Sequence, residues 1–388
     1  MKFYTSILLL IFFTNVHSQI KIDERLVSPG VVYKKIINSA DTLSVDILKI
    51  DLTAGDYFIR AVKADNLLGA RETTSNMAKE LSDSGYQIIA ALNADFFESD
   101  GEVVNNMISE GKYVKAVKFT DSPFNDYVNT QFAITYDNKP LLEQFVFSGS
   151  IIFPDGTIEN ITRINSKADS NSIKLYNSFQ GEKTPLAPED WIVKETLLIP
   201  LIKSADTLFL IVGNEFESGG NLHIPENGFI ISANNKYAYY LERNLSIGDT
   251  VRILLRLNPH YPDIRSLTGG WPLLVKDGEN AISFNPDIEG VIPRFSENRH
   301  PRTGVGFSKD STIVYFITVD GRQSHSRGMT LLEFAELMID EGIYHGVNLD
   351  GGGSTAMVVE NKVVNKPSDA TGERAVGNCL VLVRRSFN

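Results

Sequence analysis

The sequence predicts an α+β fold: mixed β-sheets with a β-loop-α-β unit that carries a site at its strand C-termini. Three observations predict it. Thr312 to Val319 is a β-branched, aromatic run that ends at Asp320-Gly321-Arg322. Thr330, with Glu333 three residues on, starts a helix in which Leu331, Phe334, Ala335 and Met338 keep the i, i+3, i+4, i+7 spacing and Gly342 closes it. Tyr344 to Leu349 is the next strand, ending at Asp350. Such a unit predicts two parallel strands joined by a right-handed crossover, with Asp320 and Asp350 at one edge. They would lie about 4.8 Å apart on adjacent strands and roughly twice that with one strand between.

The remaining elements follow in order. Ser44 to Leu52 and Tyr57 to Val62 alternate as strands around the Ala54-Gly55-Asp56 turn. Thr73 to Leu81 reads as a short capped helix ending near Gly85. Gln87 to Leu92 is a buried strand running into Asn93-Ala94-Asp95-Phe96-Phe97, so that a third carboxylate sits at a strand end before two aromatics. Short strands such as Phe132 to Tyr136 alternate with Asn, Asp and Gly turns through the middle of the chain, and Leu208 to Val212, Gly228 to Ser232 and Val251 to Leu257 continue the β character. Thr268 to Gly278 is a glycine-containing turn before a strand. No low-complexity linker and no fixed-period repeat interrupts the chain, which predicts one domain over residues 19–388 with a β-rich insertion at about 140–260.

Composition narrows the function classes. The chain has 388 residues, 43% hydrophobic and 22% charged, with a net charge of −11. This is globular composition with room for a large core, and its acidity excludes a general nucleic-acid or anionic-membrane binder. Lys2, the apolar run Ile7 to Phe13 and then Val16-His17-Ser18-Gln19 have the pattern of an export signal over residues 1–18, cut near Ser18. The run is too short to span a bilayer, and no later stretch is long enough, so the expected location is secreted or periplasmic. Cys379, the one cysteine, sits in an apolar strand-like run and reads as a buried thiol. Asn160-Ile161-Thr162 and Asn244-Leu245-Ser246 are glycosylation sequons.

The candidate site centres on Asn348-Leu349-Asp350-Gly351-Gly352-Gly353-Ser354. Three glycines strip one turn of side chains, so a ligand can approach the backbone, and Asn348, Asp350 and Ser354 flank it with polar groups. In an acidic chain, Arg299 and Arg302 around His300-Pro301, with Arg322 and Arg327 feeding the helix that begins after Thr330, form a cationic cluster suited to phosphate. Asp320 and Asp350 are the leading carboxylate pair. Glu333 has a complete structural role as the N3 residue of a capping box, with a catalytic role as the alternative. Glu373-Arg374 reads either as an ion pair at a strand start or as part of a lid, following the flexible stretch Pro367 to Thr371.

Arg299-His300-Pro301-Arg302-Thr303, Asp320-Gly321-Arg322, Gly328-Met329-Thr330-Leu331 with Glu333, and Asn348 to Ser354 together resemble the phosphodiester glycosidase family, which includes the uncovering enzyme. Asn93 to Phe97, Gly269 to Gly278 and Glu373 to Asn378 extend the likeness over nearly the whole mature chain. The resemblance implies hydrolysis of a sugar-phosphate diester between the anomeric carbon and the phosphate. It implies catalytic roles for Asp320, Asp350 and Glu333. Substrate contacts would come from Asn93, Asp95, Arg299, Arg302, Thr303, Arg322, Arg327, Asn348, Gly351, Gly352, Gly353, Ser354, Glu373 and Arg374.

The chain departs from the family pattern at Asp95, where relatives carry glycines, and at Trp271 and His300. It also lacks the cysteine-rich extension and anchor of the animal enzyme, so the expected substrate is a phosphorylated bacterial glycan, glycolipid or exopolysaccharide. No cofactor is required in this reading. Two rivals stay open: a Ca²⁺- or Mg²⁺-dependent phosphodiesterase using Asp95, Asp320 and Asp350, and a non-catalytic protein that binds phosphorylated glycan. Six histidines without a close-spaced pair argue against zinc.

Overall fold

The computed structural model describes residues 20–123, 127–167, 169–204 and 206–385. The proposed signal peptide, residues 1–18, lies outside them. Strands make up 45% of the structure and helix 12%.

Two sheets form the body. The larger has eight strands in the order Ile20–Ser28, Val31–Asn38, Leu43–Asp51, Ile313–Val319, Arg302–Phe307, His345–Leu349, Leu273–Lys276 and Glu279–Asn280, every pairing antiparallel. The smaller runs Lys362–Val363, Met357–Val359, Gln87–Asn93, Asn378–Arg384 and Tyr57–Lys63, again antiparallel throughout. Leu48, Ile50, Val305, Phe316 and Val347 of the first sheet pack against Ile59, Leu92, Leu380 and Leu382 of the second.

Each sheet is also covered on its other face. The helix Leu331–Asp340 lays Leu331, Phe334, Ala335 and Met338 on Ile47, Ile317 and Val319. The helix Thr74–Asp83 lays Met77 and Ala78 against Val381 and Val383. Burial on both faces explains why Gln87–Asn93, Ile313–Val319 and Asn378–Arg384 read as nearly continuous apolar runs rather than as alternating ones. Gly304 makes the first of these contacts possible: a Cβ there would stand 2.3 Å from Met338 Cε and 2.9 Å from Phe334.

Residues 146–258 supply a separate closed sheet. Seven strands, Thr207–Val212, Thr250–Asn258, Val146–Ile152, Ile158–Ile164, Ile173–Tyr176, Phe229–Asn234 and Val193–Ser204, close when the last pairs with the first. Ile151, Ile161, Leu175, Leu198, Ile231 and Ile253 fill this barrel. A five-stranded sheet containing Ile264–Gly269 and Gln131–Thr135 joins it to the body.

The expected α+β class built on a β-loop-α-β unit is overturned. The strands Ile313–Val319 and His345–Leu349 do not pair; Arg302–Phe307 lies between them, antiparallel to both. The helix between them in sequence covers a face of an antiparallel sheet and does not join two paired parallel strands. The one parallel pairing among the described strands is Ile158–Ile164 with Ile173–Tyr176, in the barrel. Arg302–Phe307 forms a hairpin with the strand that follows it and takes His345–Leu349, some forty residues downstream, on its other edge; that second pairing is what a local strand–helix–strand pattern does not encode.

Candidate active site

Strand His345–Leu349 delivers Asp350 to the edge of the large sheet, and the chain then turns through the short helical turn Gly352–Ser354. The peptide around Asp350 is pinned from the smaller sheet. Its N–H donates to Ala94 O at 2.9 Å, and its carbonyl accepts from Asn93 Nδ2 at 2.6 Å. Each glycine that follows is required by a close neighbour. A Cβ on Gly351 would stand 2.7 Å from Pro301 O; one on Gly353, 2.1 Å from Arg374 Nη2. Gly352 has φ +62° and faces the Arg322 guanidinium.

Asp350 is half-buried on the floor of a cavity of about 220 Å³. Phe96 and Phe295 form one wall, 6.5 Å apart edge to face, with Trp271 stacked behind Phe295 at 4.9 Å. His300, Arg302, Arg322 and Arg374 form the rest of the polar lining. Burial pushes the Asp350 carboxyl up to about 6, against the opposing pull of Ser354, Arg374 and the Gly351 N–H.

The cations are held in different ways. Arg302 is 2% exposed, and its Nε and Nη2 donate to the carbonyls of Met329, Phe295 and Asn298 at 2.9–3.0 Å. Burial first, and then Arg322, lower it to about 10. Arg322, at φ +57°, donates through Nη2 to His300 Nδ1 at 3.0 Å. That bond fixes His300 with its lone pair on Nδ1, and burial with the nearby arginines lowers its pKa, so the ring is neutral. Among the described residues neither Arg302 nor Arg322 has a carboxylate within ion-pairing distance. Arg374 is instead gripped in a two-pronged pair by Asp369, Nε to Oδ2 at 2.8 Å and Nη2 to Oδ1 at 3.0 Å.

Other residues singled out in the sequence serve the frame. Asp320 is 2% exposed and outside the cavity lining; it takes the Lys366 N–H at 2.9 Å on Oδ1 and His325 Nε2 at 3.0 Å on Oδ2. Glu333 completes the capping box with Thr330 and ion-pairs with Arg299. Arg299 also donates to Gly328 O, and Arg327 stands 3.9 Å from Asp41, so neither lines the cavity. Asp95 is buried, bonded through both oxygens to Asn105 and raised by burial to about 7. Asn93 Oδ1 accepts from Thr303 Oγ1 and Ala356 N, which ties Thr303 into the support beneath Asp350. Asn348 Nδ2 donates to Trp271 O, and Ser354 is 1% exposed beside the glycines. Glu373 accepts from Ser75 N and Oγ at the start of a helix. The oxygens of Asp95, Asp320 and Asp350 do not gather as a ligand set; among the described residues the group that does is Asp65, Glu72 and Glu80, elsewhere on the body.

Sequence reasoning passed over three residues that line the cavity and one, Asp369, that holds a lining residue. Phe96 and His300 stood inside quoted motifs without being chosen, Asp369 stood in the stretch taken as flexible, and Phe295 had no signal at all. The wall rings are separated by about two hundred residues in sequence and meet only through the fold.

Residues 210–383 match the family model described as phosphodiester glycosidase. This part of the chain is similar to the phosphodiester glycosidase family. It contains Asp350 and the three cavity arginines, whereas Phe96 lies outside the match. A SPbeta prophage-derived uncharacterized protein of Bacillus subtilis is 43% identical over 84 residues, 22% of this chain and 13% of that protein. The N-acetylglucosamine-1-phosphodiester alpha-N-acetylglucosaminidase of Mus musculus is 31% identical over 121 residues, 29% of this chain and 23% of that enzyme. The chain thus spans less than a quarter of the length of these curated relatives. In fold it resembles a crystal structure from Burkholderia pseudomallei named "Putative exported protein", with a TM-score of 0.71 at 16% identity, covering 94% of this chain and 96% of that one. A hypothetical protein from Synechocystis gives a TM-score of 0.70 at 17% identity, covering 92% and 62%. Among the described residues no helix is long and apolar enough to cross a membrane.

Proposed function

We propose that the protein is an exported phosphodiester glycosidase that hydrolyses the bond between a sugar's anomeric carbon and a phosphate diester. The observation that carries this is the pairing of one raised carboxylate, Asp350, with two guanidiniums, Arg302 and Arg322, that have no carboxylate of their own. One buried guanidinium, Arg302, and one exposed one, Arg322, neither with a counter-charge among the described residues, suit an anionic ligand, and guanidinium matches phosphate geometry. Phe96 and Phe295 offer apolar faces for a sugar ring beside it.

In this reading the phosphate sits against Arg302, Arg322 and Arg374. Water attacks the anomeric carbon as its bond to the phosphate oxygen breaks. The bonding pair leaves with that oxygen, giving a phosphate monoester, and Asp350 takes the proton from the water. The arginines stabilise the charge that grows on the departing phosphate. His300, neutral and bonded to Arg322, orients that guanidinium without adding a second full charge. The carboxylate's raised pKa makes it a better base than an exposed aspartate. No metal is needed for this step.

Export is proposed from Lys2, the Ile7 to Phe13 run and the small residue Ser18. The names of the mammalian relatives make an N-acetylglucosamine-1-phosphate diester the first substrate to try. Purified mature protein would be followed by ³¹P NMR for conversion of a methyl-phosphate α-N-acetylglucosamine diester to methyl phosphate. Turnover that disappears in Asp350→Asn supports the proposal; turnover unchanged in that variant overturns the role given to Asp350.

A further inference from the structure

A second cavity, of about 390 Å³, lies outside the barrel wall and away from Asp350. Its floor is a row across three neighbouring strands. Register places Lys174 opposite Ser232 on one side and Glu195 opposite the same Ser232 on the other. The alternate residues Ile173, Leu175, Ile231 and Ala233 point into the barrel core, so this row points outward into the cavity. Pro185, Pro188 and Trp191 form the facing apolar wall.

Lys174 is the unusual member. It is 5% exposed, donates one hydrogen bond, to Ser166 O at 3.1 Å, and lies 4.3 Å from the Tyr176 ring centroid. Among the described residues it has no ion pair, so two of its three donor hydrogens lack a partner. Glu195, 1% exposed, accepts from Thr184 Oγ1 at 2.5 Å. The backbones of Lys174 and Glu195 stand two strand spacings apart, roughly 10 Å; the two side chains form no ion pair, though each charge partly offsets the burial of the other. Of the other charged groups on the lining, Glu102 is ion-paired to Lys115 at 2.7 Å, and Lys167 stands at the exposed lip. The lining therefore carries a small excess of positive charge. Burial accordingly lowers Lys174 to about 8 and raises Glu195.

We infer that this cavity binds an acidic sugar unit, a monoanionic saccharide of the uronic-acid type. Its carboxylate meets the free hydrogens of Lys174, a ring hydroxyl donates to Glu195, and the apolar face of the ring lies on Trp191 and the prolines. The carboxylate of Glu195 disfavours a dianion such as a phosphate monoester in the same space. The volume lies in the range of small-molecule sites. The inference does not depend on what the cavity at Asp350 does.

Isothermal titration of the full protein with sodium glucuronate, and separately with glucose, tests it. Glucuronate should bind saturably and at least about 10-fold more tightly than glucose, the size of one charge-assisted hydrogen bond. Lys174→Met should remove that preference, and Arg322→Met, in the other cavity, should leave it intact. Equal affinities for the two sugars, no glucuronate binding at about 20 mM, or a preference lost in Arg322→Met and kept in Lys174→Met would each overturn the proposal. If Lys174→Met fails to fold, Trp191→Ala at the half-exposed lip carries the test: undiminished glucuronate affinity in that variant overturns it.

Discussion

Replacing Asp350 by asparagine should make the protein more stable at high pH while removing its proposed chemistry. Burial raises this carboxyl from 3.8 to about 6. Between those values the native state keeps a proton that the unfolded chain has already released. Stability therefore falls as pH rises through the window, and the whole cost of the buried charge is present above about 6. A displacement of that size corresponds to about 3 kcal/mol for a fully desolvated group. Asp350 is only half-buried and faces an open cavity, so screening brings the expected figure to about 1–2 kcal/mol. The asparagine side chain fills nearly the same space without the charge. Urea unfolding of both proteins at pH 8 should show Asp350→Asn more stable by that amount, and at pH 4 the difference should shrink towards zero. A variant that is less stable at pH 8, or offset equally at both pH values, would refute the view that Asp350 is a desolvated carboxylate.

Four further outcomes are expected. If Asp350 acts as the base, kcat/KM on a glycosyl phosphodiester should fall about tenfold per pH unit below about 6; a pH profile flat down to 4 would contradict that role. Arg322→Met should lower kcat/KM by about 100-fold with little change in melting temperature, because its one side-chain bond is to His300 and it holds no buried carboxylate; activity within twofold of wild type would remove Arg322 from the phosphate site. Gly353→Ala places a Cβ 2.1 Å from Arg374 Nη2 and 2.2 Å from Asp369 Oδ1, both flexible ends, so stability should drop by only about 1 kcal/mol while KM rises as the pair is pushed aside; an unchanged KM would show that Arg374 does not touch substrate. Glu333→Ala should cost about 1 kcal/mol in a thermal melt as the helix cap is lost, with kcat within a few-fold of wild type; a thousandfold loss of kcat would instead return Glu333 to the chemistry.

What the sequence disclosed was local. The strand ending at Asp350, the helix start at Thr330 and the glycine turn are set by residues within a few positions of one another, and the structure has them within those bounds. The cationic cluster was visible in part, because unusual residues stand out in an acidic chain: of Arg299, Arg302, Arg322 and Arg327, Arg302 and Arg322 line the cavity, and Arg374, read as an ion pair or lid residue, joins them. Pairing was not visible. Arg299 and Glu333 meet across thirty-four residues, Glu373 and Ser75 across almost three hundred, and each contact takes its residue away from the cavity. Asp320 and Asp95 looked equivalent to Asp350 at the ends of strands, yet their oxygens are taken up by Lys366 and His325, and by Asn105. The fold class was misread for the same reason: which strand inserts between two others is decided by packing on both faces of a sheet, not by the segment that links them.

The central claim is that this cavity breaks the bond from the anomeric carbon to oxygen. Hydrolysis of a methyl-phosphate α-N-acetylglucosamine diester in ¹⁸O-water, followed by mass spectrometry of both products, tests it most directly. The account predicts label in the released sugar and none in methyl phosphate, with turnover lost in Asp350→Asn. Label in the phosphate would mean attack at phosphorus, and would make the protein a phosphodiesterase instead.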